Sequence, residues 1–480
     1  MTARDELHDV PGLVRSGFGS LGGACYLLVR IVDRGMARSW LGGLPVTSAA
    51  AVEAGAVAEA CQIAFTASGL RALGLSEAAL AEFAPEFLDG LSADPRRSHR
   101  LGDVGPNAPE HWKWGVGARE PDAMIMLFAP AAEIRAKAEA LAEAAQGHGL
   151  KVIETLLSIT ERTGDEPGRE PFGFADGLSQ PALDWDGRVE AKGPRNRDYR
   201  NAIASGEFLL GHCNEYAFVP EHPAVLGRNG TYLVLRDIAQ DVAGFWREMR
   251  QRAGPDGAIP LAERLCGRGI DGAPLAGLEL EPSGDFGFGG DGDGRHCPIG
   301  SHVRRANPRT GDDPQGDRGW LRNLVATLGF AGTPRADAVA SARFHRILRR
   351  GRAYGRLRPA AETLAALDRE GEPGRETEAG LYFVCLNASL ARQFEFVQGA
   401  WLNSPVFAGL AGEQDPLLGH REPFPAGCPT SAFSHIDSLG EPRLLSDLPR
   451  FAAVRGGAYF FLPGLAGLRA ILSADGAPRR

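Results

Sequence analysis

The chain has 480 residues, a formal net charge of −8, 44% hydrophobic and 23% charged residues. That length exceeds one ordinary core and predicts two units or one elaborated one, and the acidic balance excludes a nucleic-acid or anionic-membrane partner as the leading reading. Seven scattered cysteines with no Cys-x-x-Cys pair exclude a disulfide framework or zinc site and suit a reducing compartment.

The first ten residues carry acids where a secretory leader needs a basic region and an apolar stretch. No apolar run is long enough to span a bilayer, so a cytoplasmic location is expected. In chain order, Ala24–Asp33 is a branched apolar strand, Ala49–Ala60 an alanine-rich helix capped by Thr47 or Ser48, and Cys61–Thr66 and Ala123–Ala129 are strands. Pro130–Gln146 is an amphipathic helix stopped by Gly147, and Lys151–Thr160 closes the unit as a strand. The order recurs: strand Thr231–Arg236, helix Asp241–Ala253 with Phe245, Trp246 and Met249 inward, strands Phe344–Arg350 and Gly380–Leu386, helix Ala388–Trp401, strand Gly457–Leu462.

Two copies of β-α-β-β-α-β predict an α+β fold of paired ferredoxin-like units with antiparallel sheets. The expected units are 1–165 and 229–475, joined by a glycine- and proline-rich connection over 166–228. Within the second unit, 255–340 reads as a long insertion with little periodicity. Irregular loops of that length inside a compact domain are usually functional.

Two glycine patterns mislead. Gly17-Phe-Gly19-Ser-Leu-Gly22 and Gly287-Phe-Gly289-Gly-Asp-Gly292 have dinucleotide-fingerprint spacing, but the first runs into a strand and the second into Cys297-Pro298, so neither opens the required helix. Asp285, Asp291 and Asp293 among glycines read as a solvated acidic turn rather than a calcium site.

Two segments over a hundred residues apart carry the chemistry. In Cys297-Pro-Ile-Gly-Ser-His302-Val-Arg-Arg-Ala-Asn-Pro-Arg309, Pro298, Gly300 and Pro308 stiffen a turn around one imidazole. Lone histidines are more often satisfied core residues. Here Arg304, Arg305 and Arg309 add forked donors suited to carboxylates such as haem propionates, and a single imidazole is a standard haem ligand. In Pro171-Phe-Gly-Phe-Ala-Asp176-Gly-Leu-Ser-Gln-Pro181, Phe172, Phe174 and Leu178 predict an apolar site where Asp176 can exchange a proton, against the commoner role of a turn aspartate. An imidazole on one side of haem and a carboxylate on the other is the minimum of a haem peroxidase, which must move a proton between the oxygens of hydrogen peroxide. Arg349, sharing a strand face with the apolar Ile347, would be a partly buried cation able to steady the departing oxygen. A solvated basic edge strand is the alternative.

Phe172-Gly-Phe-Ala-Asp176-Gly177 also resembles the Gly-x-x-Asp-Gly signature of the dye-decolourising peroxidases, with Gly173 as its first glycine. Gly206–Tyr216, Cys297–Arg309, Ile347–Gly355, Gly380–Cys385 and Gln393–Gln398 resemble further blocks of the longer bacterial members, in the same order. The resemblance implies a haem b, one per chain, held in the second ferredoxin-like unit facing the connection. It implies His302 as the iron's axial ligand, Asp176 as the acid–base residue and Arg349 as the distal arginine. Arg309 would bind a propionate; Gly173, Phe174, Ala175, Gly177, Leu381 and Phe383 would line the cofactor, and Glu395 would be the carboxylate partner of His302.

The activity so implied is reduction of hydrogen peroxide through a ferryl intermediate, then one-electron oxidation of dyes, phenols or other small-molecule reductants. Tyr354, Tyr382 and Trp401 are candidate electron relays, though core packing is the commoner use of such residues. A haem carrier or deferrochelatase-like protein using the same pocket is the alternative. The oligomeric state stays open, and the stretch Gly311–Ala340 between His302 and Arg349 is longer than the resemblance leads one to expect.

Overall fold

Branched and apolar runs become strands because both faces of the sheet they build are covered. Those strands are β1 (Gly23–Ile31), β2 (Ala60–Phe65), β3 (Ala123–Ala129) and β4 (Leu150–Ile159), then β5 (Ala182–Asp184) and β6 (Ala202–Ala204). The second half adds β7 (Thr231–Gln240), β8 (Leu348–Arg349), β9 (Arg352–Tyr354) and β10 (Gly380–Asn387), with β11 (Phe433–Ile436), β12 (Pro442–Leu445) and β13 (Ala452–Leu462). This computed structural model describes residues 2–55, 57–159, 168–187, 202–278, 286–288, 290–309, 342–369, 378–423, 427–437 and 440–473.

The principal sheet runs β4-β1-β3-β2-β13-β7-β10-β8, with β9 also on β10. Numbered within its own half, each group of four strands has the order 4-1-3-2, and its pairings are antiparallel. That is the α+β arrangement of two ferredoxin-like units expected from element order. The halves join edge to edge where Phe461 of β13 faces Phe65 of β2. Along β1, Cys25, Leu27 and Val29 enter one core layer while Ala24, Tyr26 and Leu28 enter the other, the period-2 signature of a sheet covered on both sides.

Several expectations need correction. The helix expected over Ala49–Ala60 spans only Ala49–Glu53, capped by Ser48 Oγ accepting from the Ala51 amide at 3.2 Å. Pairing with β3 claims the chain from Ala60 onward, and Arg34–Gly42 supplies another helix before it. The predicted strand Phe344–Arg350 shrinks to Leu348–Arg349 because residues 342–344 are helical instead, and pairing with β10 resumes at Arg352–Tyr354 beyond Gly351. The irregular insertion begins later than expected: after a break at Gly254 (φ +74°), Pro255–Cys266 continues as helix, with proline at the start where its missing N–H is harmless. Ala391–Glu395 and Val397–Leu402 wind as π-helical turns, a geometry that often accompanies functional sites. Asp285 and Gly311–Ala340 lie outside the described residues.

A third apolar cluster packs Phe172 and Phe174 on Phe245, Trp246, Met249 and Phe451. The indole N–H of Trp246 donates to the Phe172 carbonyl at 3.0 Å. The segment carrying Asp176 is therefore anchored to the helix that follows β7.

Candidate active site

Asp176 is presented by a turn that only its sequence could make. Gly173 (φ +101°) and Gly177 (φ +80°) occupy the left-handed region that glycine tolerates, and a Cβ on Gly173 would stand 3.0 Å from the Ala360 amide nitrogen. The Asp176 amide donates to the Gly168 carbonyl at 2.7 Å, and its Oδ1 accepts from the Gly177 amide at 2.6 Å. Arg349 reaches the same turn from β8. Its Nη2 donates to the Leu178 carbonyl at 2.6 Å, its amide to Gln180 Oε1 at 3.1 Å, and its Nη1 stands 3.9 Å from Asp176 Oδ1.

The expectation that Phe172 and Phe174 would enclose the carboxylate does not hold. Both phenyl rings turn into the third core cluster, and the Asp176 side chain is 44% exposed. Residues 172, 174 and 176 would share one face of an extended strand; the positive φ of Gly173 breaks that course and lets the acid turn away from the aromatics.

His302 opens a short helix (His302–Ala306) whose loop is built by Asp291. Read from sequence as part of a solvated turn, Asp291 is instead buried. It accepts from the amides of His296 (3.0 Å) and Cys297 (2.9 Å) and pairs with Arg304 Nη1 at 3.1 Å.

His302 Nδ1 donates to Asp415 Oδ2 at 2.9 Å. Asp415 is fully buried, and its Oδ1 accepts from the amides of Leu417 (3.0 Å) and Leu418 (2.8 Å). Burial opposes both charges, but the pair's mutual attraction outweighs it, holding His302 above and Asp415 below their ordinary values. With Nδ1 committed to the carboxylate, Nε2 is the nitrogen left for a metal.

Glu395, the expected partner of His302, is elsewhere. It accepts from Tyr459 Oη at 2.9 Å and pairs with Arg97 at 2.9 Å and Arg100 at 2.6 Å. The π-helical turn around it faces the N-terminal unit's arginines. Asp415 lies 113 residues from His302, in a turn whose only local signal is an aspartate bonding the second and third amides after it, with proline between.

His302, Asp176, Arg349, Arg309, Phe174, Ala175, Gly177, Leu381 and Phe383 all line one cavity of about 670 Å³. Gly173 does not; it packs behind the turn. Three guanidiniums gather on this wall around Ser179: Arg268 and Arg309 donate to its hydroxyl, the latter at 3.2 Å, and Arg346 donates to its carbonyl at 3.2 Å. Phe286 supports two of them, with Arg268 at 4.6 Å and Arg309 at 4.2 Å from its ring centre. An imidazole with its outer nitrogen tied back, apolar walls and an arginine cluster at one end fit an iron porphyrin with carboxylate side chains. Sequence reasoning named Arg309 but missed Arg268 and Arg346.

Of the candidate relays, Tyr382 lines the cavity and stacks on Tyr354 at 4.3 Å, whose hydroxyl donates to Asp237 at 3.0 Å. Trp401 is buried and does not line it; its ring meets His345 edge-on at 5.3 Å.

Glu170 was also missed. On the cavity wall, its carboxylate accepts from the amides of Phe172 and Phe174, both at 3.0 Å, and from Gln240 Nε2 at 2.9 Å. Burial pushes it up to about 7, against the lowering effect of those three bonds. Because its folded value lies above the ordinary 4.5, the folded chain holds a proton there that the unfolded chain has released, so stability falls as pH rises from 4.5 to about 7. Glu170→Gln is expected to remove that part of the slope. Unfolding midpoints of the two proteins across this window would test it, and identical slopes would rule it out.

No family model matches the chain. Among curated proteins, it is 28% identical over 433 residues to the multifunctional dye peroxidase DyP2 of Amycolatopsis sp. (strain ATCC 39116 / 75iv2), covering 85% of this chain and 81% of that one. It is 25% identical to the dye-decolorizing peroxidase msp1 of Mycetinis scorodonius, covering 86% and 76%. Its fold is similar to that of an Anabaena sp. DyP-type peroxidase, with a TM-score of 0.73 at 21% identity over 98% of this chain and 95% of that one. An ancestral D-type dye decolorizing peroxidase superposes with a TM-score of 0.72 at 22% identity, covering 98% and 99%. By these relatives, by its fold and by the residues its cavity gathers, the chain is similar to the dye-decolourising peroxidases.

Proposed function

We infer that this protein is a haem peroxidase that reduces hydrogen peroxide and oxidises small-molecule reductants such as phenols and dyes, using one haem b per chain. The observation that carries the reading is the convergence on one cavity of His302, backed by buried Asp415, with the Asp176–Arg349 pair. A dye-decolorizing peroxidase of similar fold has been solved in complex with 2,6-dimethoxyphenol, which supports phenols as a donor class here.

His302 would hold the iron through Nε2, and Arg268, Arg309 and Arg346 would hold the propionates. Haem bound there supplies an iron able to accept two oxidising equivalents from peroxide and return them to donors one electron at a time. Asp176 Oδ1 is engaged by the Gly177 amide, so Oδ2 is the atom that takes the proton from the near oxygen of peroxide and delivers it to the far one. Arg349, fixed through Nη2 to the Leu178 carbonyl, directs its charge toward the oxygen that departs as water. Asp415 keeps the Nδ1 proton of His302 in place and raises the basicity of the ring.

The visible spectrum of the purified protein, with and without one equivalent of hydrogen peroxide, tests this directly beside His302→Ala. A Soret band that shifts with peroxide, and is lost or altered in the variant, is expected. A band indifferent to peroxide, with no turnover of a phenolic donor, would favour haem carriage or deferrochelatase-like chemistry. No band after haem is supplied would overturn the reading.

A further inference from the structure

Every backbone amide from Phe172 to Asp176 has an acceptor, and Glu170 supplies most of them. Its carbonyl accepts from the Gly173 amide at 2.8 Å. Its carboxylate accepts from the Phe172 amide through Oε2 and from the Phe174 amide through Oε1, both at 3.0 Å. The amides of Ala175 and Asp176 reach the carbonyls of Ile270, at 2.9 Å, and Gly168, at 2.7 Å. Main chain and side chain of one residue thus close the turn that carries Asp176. Gln240 Nε2, at the end of β7, donates to the same Oε2 at 2.9 Å and ties the turn to the principal sheet.

The neighbours of this side chain explain its type. All three of them donate, to two different oxygens, so the position calls for a group with two accepting oxygens. A carboxylate offers both, whereas an amide of the same length offers one.

Asp176 depends on this arrangement because its carboxylate has no hydrogen-bonded anchor outside the turn. Among the described residues, the hydrogen bond it accepts comes from Gly177, its own neighbour, and Arg349 Nη1 stands beyond hydrogen-bond distance at 3.9 Å. Arg349 is carried by β8 and pairs with Cys385 of β10. Where the turn sits therefore decides where Asp176 lies relative to Arg349 in the cavity.

We propose that Glu170 is a positioning residue for peroxide cleavage: by accepting from the Phe172 and Phe174 amides, it holds Asp176 where its carboxylate and Arg349 meet the same peroxide molecule. The inference rests on the peroxidase reading, and its test separates the two.

Glu170→Gln keeps the size of the side chain but takes away one accepting oxygen, so an amide of the turn loses its partner. In the holoprotein, kcat/KM for hydrogen peroxide is expected to fall about tenfold, since a misplacement of about 1 Å can cost roughly a hundredfold. Haem content and kcat at saturating peroxide should stay at the wild-type level. The same substitution would then be made in an Asp176→Asn background. With the positioned acid already gone, kcat/KM should change by less than about twofold.

Equal proportional losses in the two backgrounds would overturn the proposal, and so would an unchanged kcat/KM in haem-loaded Glu170→Gln. If that variant takes up no haem, Gln240→Leu, which cuts only the tie to β7, would replace it. A smaller loss confined to the background with Asp176 is then expected, and no loss, or the same loss in both, would overturn the proposal. A wild-type protein that takes up no haem, or whose haem ignores peroxide, would instead sink the peroxidase reading.

Discussion

Asp176→Asn is expected to lower kcat/KM for hydrogen peroxide by about two to four orders of magnitude, the usual contribution of a positioned acid–base group. The amide keeps the shape of the side chain and an oxygen for the Gly177 N–H, so the turn should survive. What disappears is an atom able to take a proton from one peroxide oxygen and give it to the other. Haem content and the resting Soret band should therefore match the wild type, while stopped-flow spectra after peroxide addition show the slow step. A variant that reacts at the wild-type rate would remove Asp176 from its assigned role and direct attention to Glu170, the other carboxyl group on the cavity wall among the described residues.

The second large effect is expected on the other ligand-bearing segment. His302→Ala removes the nitrogen proposed to hold the iron, so the purified variant should retain little haem or show an altered Soret band. Asp415→Asn is the finer probe. It leaves a carbonyl to accept the Nδ1 proton but deletes the buried charge, and outer partners of this kind are typically worth about 10- to 100-fold in metal affinity or activity. A less basic imidazole stabilises ferric iron less, so the reduction potential should rise relative to the wild type. The matching Glu395→Gln variant should leave the potential unchanged, since Glu395 bonds Tyr459, Arg97 and Arg100. A shift in Glu395→Gln with none in Asp415→Asn would reverse the assignment of the histidine's partner.

Local chemistry made part of this protein legible from residues alone. Ala123–Ala129 forms the strand its apolar run announces, because a segment buried on both faces needs no distant information to be extended. The Gly173–Gly177 turn was legible for a similar reason: two positive φ angles a few residues apart require glycine wherever the chain goes next. Element order alone also implied two ferredoxin-like units, since connections of this kind leave few ways to pair four strands.

Tertiary structure decided what depends on where separate segments meet. Asp415 rather than Glu395 faces His302 because the turn after the π-helical segment folds back beneath the histidine, and no spacing rule connects residues 113 apart. The strand around Arg349 was overestimated because residues 342–344 before it are helical and the chain meets β10 only from Leu348, a contact invisible in strand propensity. Asp176 kept its place at the cavity but not inside an apolar shell: Phe172 and Phe174 line the cavity yet pack on Phe245 and Trp246, and the carboxylate is left 44% exposed. Burial then raised the proton affinity of Glu170, an acid that residue type and neighbours in sequence had no power to single out. Residue type and local spacing set which groups could do chemistry. The desolvation and long-range contacts that tune them exist only once the chain has closed around them.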